Sequence, residues 1–152
     1  MVERDPIVFA LLEDAIRRIN LLSSHNELAQ DLSERLSLRA GDGIDYLKSQ
    51  MKETREQPDV CYLDPMFPPR TKSSAVKKGM QILHGLLDTQ QDDTGTMNDR
   101  LQEERQLLDA ALEAAKSRVV VKRPIKAPPL GEVERPSYAI KGSVNRWDIY
   151  VI

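Results

Sequence analysis

The sequence is short of several residue types, and each shortage excludes something. Its one cysteine, Cys61, can form no internal disulfide and cannot build a cysteine zinc site. Its two histidines, His25 and His84, have no partner at metal-ligand spacing, so no metal is expected. No apolar run approaches the roughly 18 residues of a membrane-spanning helix, and the chain does not open on a charged segment followed by an apolar one, as a secretory leader would. A reducing, cytoplasmic setting follows, with no membrane partner. What is present is ordinary: 152 residues, 40% hydrophobic and 30% charged, with a net charge of −2. That suffices for one domain able to bury about two-thirds of its unfolded surface.

The small net charge conceals opposed segments. Residues 1–63 sum to −4, and residues 64–87 to +3 through Arg70, Lys72, Lys77 and Lys78 against Asp64. Residues 88–115 reach −6, with only Arg100 and Arg105 opposing eight acids. Residues 116–146 return to +6, and include Lys122 and Arg123. Two basic stretches separated by an acidic one can converge as an anion-binding face or remain plain solvated surface.

Asp5-Pro6 predicts a helix start, a capping carboxylate followed by a proline that lacks an otherwise orphaned N–H. Val8, Leu11, Leu12, Ala15, Ile16, Ile19 and Leu22 then recur at helical spacing, and Ser23–Asn26 end the run. A weaker helix over 27–35 leads to an alternating strand, 36–40, and a turn at Gly41-Asp42-Gly43. Ile44, Leu47 and Met51 mark another helix. Val60–Leu63 reads as a short apolar strand that delivers Asp64 at its end. Further helices are expected from Ser74 and around Leu101–Ala115, separated by a mobile polar linker over 88–96. Val119–Val121 reads as a buried strand, residues 124–136 as a proline-rich loop, and Ser137–Lys141 with Arg146–Val151 as a hairpin. Trp147 and Tyr150 are expected to pack in the sheet. This alternation predicts an α/β fold with a mostly parallel sheet and an antiparallel strand near its end. Such sheets bind ligands beyond their C-terminal strand ends, where Glu3, Asp42 and Asp64 fall.

Asp64-Pro65-Met66-Phe67-Pro68 has a composition suited to one hard reaction. The lone pair of a nucleobase exocyclic amine is delocalised into the ring, so its methylation needs acceptors that draw on the amine protons. A strand-end carboxylate beside a rigid carbonyl supplies two, and an aromatic ring supplies a stacking platform. Asp64, the Pro65 carbonyl and the Phe67 ring suit those roles. A plain proline-rich turn after a strand is the competing reading.

The run from Val60 to Pro68, with Lys72-Ser73 and Val76-Lys77-Lys78, resembles the ribosomal RNA small subunit methyltransferase J family. Glu3–Pro6, Ala10–Asp14, Val119–Pro124, Ala127–Leu130, Lys141-Gly142 and Arg146–Tyr150 extend the resemblance over nearly the whole chain. It implies a Rossmann-like class I methyltransferase domain over 1–152, with the last strand antiparallel. It also implies methyl transfer from S-adenosylmethionine to the N2 of a guanosine in 16S ribosomal RNA, free or in the small ribosomal subunit. By the same resemblance, Glu3 at the end of the second strand binds the ribose hydroxyls, with Arg4 a second cofactor contact. Asp42 and Gly43 line the adenine pocket, and Asp64 lies between methyl donor and base. Arg70, Lys72, Lys77, Lys78, Lys122 and Arg123 become donors to RNA phosphates.

One part of the pattern is absent. None of the seven glycines forms the glycine-rich turn that follows the first strand of such enzymes. The resemblance therefore implies that the chain begins at the end of strand two, without strand one, its glycine loop and the first helix, and weak or no cofactor binding by these residues alone. The alternative is a truncated or degenerate, non-catalytic RNA-binding or assembly module on the same fold.

Overall fold

The computed structural model describes residues 1–53, 57–65, 96–132 and 135–152, without side chains for 50–53. Contacts group the chain into two compact units, Met1–Tyr46 and Leu47–Ile152.

In the first unit, strand β1 (Val2–Glu3) runs parallel to β2 (Arg39–Ala40). The expected strand over 36–40 is paired only at those two residues, because its partner offers only Val2 and Glu3 to the ladder. Helix α1 (Pro6–Leu22) starts where the sequence predicts: Asp5 Oδ1 accepts the N–H groups of Ile7 and Val8 at 2.9 and 3.0 Å. Helix α2 (Glu27–Arg35) is capped by Asn26, whose Oδ1 accepts Ala29 N–H at 3.0 Å. The apolar stripe of α1 is only half-buried at Val8, Leu12, Ile16 and Ile19, and α1 contains no buried residue. Helix α3 (Gly43–Glu53) continues the chain out of this unit.

The second unit contains a four-stranded sheet ordered β3-β4-β6-β5: β3 (Val60–Leu63), β4 (Arg118–Pro124), β5 (Tyr138–Lys141) and β6 (Asn145–Val151). β3 and β4 are parallel, while β6 is antiparallel to both β4 and β5, so the expected C-terminal hairpin is present. Helix α4 (Met97–Ala114) packs its small residues, Ala111 and Ala114, with Leu108 against Val119, Val121, Leu130, Tyr150 and Cys61. Thr96, assigned by sequence to a linker, is the cap of α4 and forms a reciprocal capping box with Asp99. Tyr150 is buried and Trp147 half-buried in β6.

β4 is longer than its valine run suggests. Its antiparallel partner continues the ladder from Val121↔Asp148 through Pro124↔Asn145, so Lys122, Arg123 and Pro124 belong to the strand. The loop beyond it begins at Ile125, and Leu130–Glu132 form a single 3-10 turn within it. The helix expected from Ser74 and residues 88–95 lie outside the described residues.

Candidate active site

Period-two alternation in β4 sorts its side chains by face. Val119, Val121 and Arg123 are buried, while Arg118, Val120, Lys122 and Pro124 are half-buried or exposed. The parallel register pairs Leu63 with Val121, so the next residues along, Asp64 just past the end of β3 and Lys122 still within β4, come level on neighbouring strands. Lys122 Nζ donates to Asp64 Oδ2 at 2.8 Å, with the two side chains 31% and 44% exposed. That hydrogen bond, more than the charge behind it, holds the lysine above its ordinary pKa, and the Tyr62 side chain adds slightly. Pro65 follows, half-buried. Phe67, Arg70, Lys72, Lys77 and Lys78 lie outside the described residues.

Arg123, expected to face RNA, does not. It is 4% exposed; its Nε donates to the Pro128 carbonyl at 3.0 Å and its Nη1 to Glu104 Oε1 at 3.2 Å. Strand alternation turns it inward because β4 continues past Val121. It ties down the loop and is not available to a phosphate.

Sequence reasoning missed that this loop is held from three sides. Arg146 grips Asp148 through Nε and Nη2, at 2.8 and 3.0 Å. Its Nη1 donates to the carbonyls of Pro124, Ile125 and Ala127, the last at 2.6 Å. Asp148 is fully buried, and its hydrogen bond raises the Arg146 pKa further. From α4, Arg105 Nε donates to the Gly131 carbonyl at 2.8 Å, and Glu104 Oε2 accepts the Gly131 N–H at 2.9 Å. Gly131 has φ +65°, and a Cβ there would lie 2.7 Å from Arg105 Cγ. One signal was readable: an aspartate between Trp147 and Ile149, two residues after an arginine, is a pair on one face of a buried strand.

In the first unit the strand-end acids are also engaged. Glu3 Oε1 accepts Asp5 N–H at 2.8 Å, which fixes a half-buried carboxylate at the end of β1. Asp42 Oδ1 accepts the N–H groups of Ile44 and Asp45 at 2.8 and 3.2 Å. It thus caps α3, and its Oδ2 lies 3.7 Å from Arg4 Nη1. Gly43 is the first residue of α3. Glu3, Arg4, Asp42 and Gly43 therefore gather at the ends of β1 and β2. Among the described residues no three His, Cys, Asp or Glu side chains could hold a metal ion. No described helix is long and apolar enough to cross a membrane.

Each unit places acids at the C-terminal ends of parallel strands, and comparison with known families supplies the class of protein. Residues 1–152 match the family described as "Putative SAM-dependent methyltransferase", and the chain belongs to that family. It is 43% identical over 152 residues to ribosomal RNA small subunit methyltransferase J of Cellvibrio japonicus, covering 99% of this chain and 52% of that protein. The namesake from Pseudoalteromonas atlantica is 41% identical over 153 residues, covering 100% and 54%. A crystal structure of a SAM-dependent methyltransferase from Neisseria gonorrhoeae superposes with a TM-score of 0.69 at 34% identity, over 99% of this chain and 50% of that one. The fold is thus the Rossmann-like methyltransferase fold with a mixed sheet. The chain spans about half the length of these relatives.

Proposed function

We propose that this chain serves an enzyme that methylates the exocyclic N2 of a guanosine in 16S ribosomal RNA, in the cytoplasm, on free RNA or the small ribosomal subunit. The observation that carries the reading is Asp64: a partly exposed carboxylate at the C-terminal end of a parallel strand, followed by Pro65, in a chain whose full length matches a methyltransferase family. The relatives' printed name supplies the RNA; nothing in the fold alone would.

When bound, S-adenosylmethionine supplies a methyl group on a sulfonium that departs as a neutral thioether. The donor chemistry in the first unit fits that cofactor. Glu3 is fixed by one oxygen, and its second, which accepts no hydrogen bond among the described residues, suits ribose hydroxyls. Arg4 and Gly43 stand as further contacts. Asp42 stands as a weaker one, because its Oδ1 caps α3 and its Oδ2 faces Arg4 at 3.7 Å.

Asp64 and the Pro65 carbonyl accept the amine N–H groups, gathering electron density on nitrogen. The nitrogen lone pair forms the new bond to carbon, and one N–H proton leaves through the Asp64 carboxylate to water. Phe67 provides the stacking surface for the base, and Arg70, Lys72, Lys77 and Lys78 neutralise flanking phosphates.

The natural protein is expected to bind S-adenosylmethionine and to methylate small-subunit RNA, measured by transfer of labelled methyl. Asp64→Ala should abolish turnover while leaving circular dichroism and the melting temperature nearly unchanged. Full turnover by that variant would remove Asp64 from the site. RNA binding without any methyl transfer by the natural protein would return the non-catalytic alternative.

A further inference from the structure

We propose that Lys122 is a positioning residue for Asp64: its ammonium holds one carboxylate oxygen so that the other is presented to the incoming amine. The inference rests on the reading of Asp64 as the acceptor for the exocyclic amine. It changes the assignment of Lys122 from phosphate contact to organiser of the reacting group.

Three observations carry it. The register of β3 against β4 brings the two residues level, so the pairing follows from the sheet and not from a chance surface approach. The contact uses Oδ2 alone, at 2.8 Å, and so leaves Oδ1 as the oxygen that can accept an amine N–H. Lys122 is paired to Trp147 of β6, one residue beyond the last β3–β4 pair, Leu63↔Val121, so the base of its side chain is fixed. A carboxylate on a strand end would otherwise rotate freely about its last two bonds. Anchoring one oxygen removes that freedom before substrate arrives, which is how a held acceptor contributes to rate. The ammonium keeps two further N–H donors, but the carboxylate it pairs with offsets its charge, which weakens its pull on a phosphate. Tyr62, two residues before Asp64 and on the same face of β3, is the other ionisable group acting on Lys122.

The test uses the natural protein with Lys122→Met and Lys122→Arg, beside wild type and Asp64→Ala. A positioning role predicts that Lys122→Met lowers kcat roughly 10- to 100-fold while KM for RNA stays within about threefold. Lys122→Arg should recover most of the loss. The salt dependence of RNA affinity, measured without cofactor, should match wild type in both variants. In addition, Lys122 in the Asp64→Asn variant, followed by NMR of its side chain, should titrate nearer the ordinary lysine value. The opposite pattern overturns the inference: kcat kept, KM raised, and the slope of log affinity against log salt reduced by about one. That result would leave the methyltransferase reading standing. The reading itself fails separately, if wild type transfers no methyl group or Asp64→Ala transfers it undiminished.

Discussion

Residues 1–46 bury one side chain, Ala29, whereas the remainder buries Leu108, Leu130, Val119 and Val121 together with a charged residue, Asp148. The first unit is ordered by short-range devices: Asp5 and Asn26 capping two helices, and a two-residue parallel ladder. The second is ordered by contacts between residues far apart in the chain, α4 on the sheet and Arg146 on the loop after β4. Caps contribute about 1 kcal/mol each, while a buried leucine contributes about 2–5 kcal/mol when truncation is the measure. Local order is therefore the weaker kind, and the first unit should open before the second when the protein is destabilised.

The largest effect should come from Asp148→Ala. It breaks an ion pair whose side chains are 12% and 1% exposed, leaving the Arg146 charge uncompensated, and is expected to cost about 3–5 kcal/mol in chemical denaturation; a loss under 1 kcal/mol would show that the three loop carbonyls satisfy Arg146 alone. Gly131→Ala comes next, at about 1–3 kcal/mol, because its positive φ and the nearby Arg105 stem both resist a Cβ. Amide exchange should locate the damage in residues 125–132. Asn26→Ala is the smallest, about 0.5–2 kcal/mol, with faster exchange confined to α2. Exchange rising equally across β4 and β6 would erase the distinction between the units.

That same difference decided what could be read from the chain. Asp5-Pro6, the 27–35 helix, Val60–Leu63 and the terminal hairpin were legible because caps, periodicity and turn spacing are local signals. The length of β4 was not, because it depends on a partner strand that pairs past Val121. Arg123 misled for the same reason: it sits beside Lys122 in a basic stretch, yet alternation sends the two to opposite faces. Asp64 was legible as a strand-end acid, but its bond to Lys122, 58 residues away, needed the β3–β4 register. Asp42, read as part of a turn and, by the resemblance, as a cofactor contact, also caps α3, which occupies one of its oxygens.

Cys61 offers a practical consequence. Buried beneath α4, its thiol is pushed to a higher pKa by desolvation, so little thiolate is present near neutral pH to meet an alkylating reagent or peroxide. With no other cysteine in the sequence, a single one introduced at exposed Ser143, in the β5–β6 turn, would take a spin label or fluorophore selectively while Cys61 stays silent. The terminal hairpin would then carry a reporter over a background that the fold itself keeps clean.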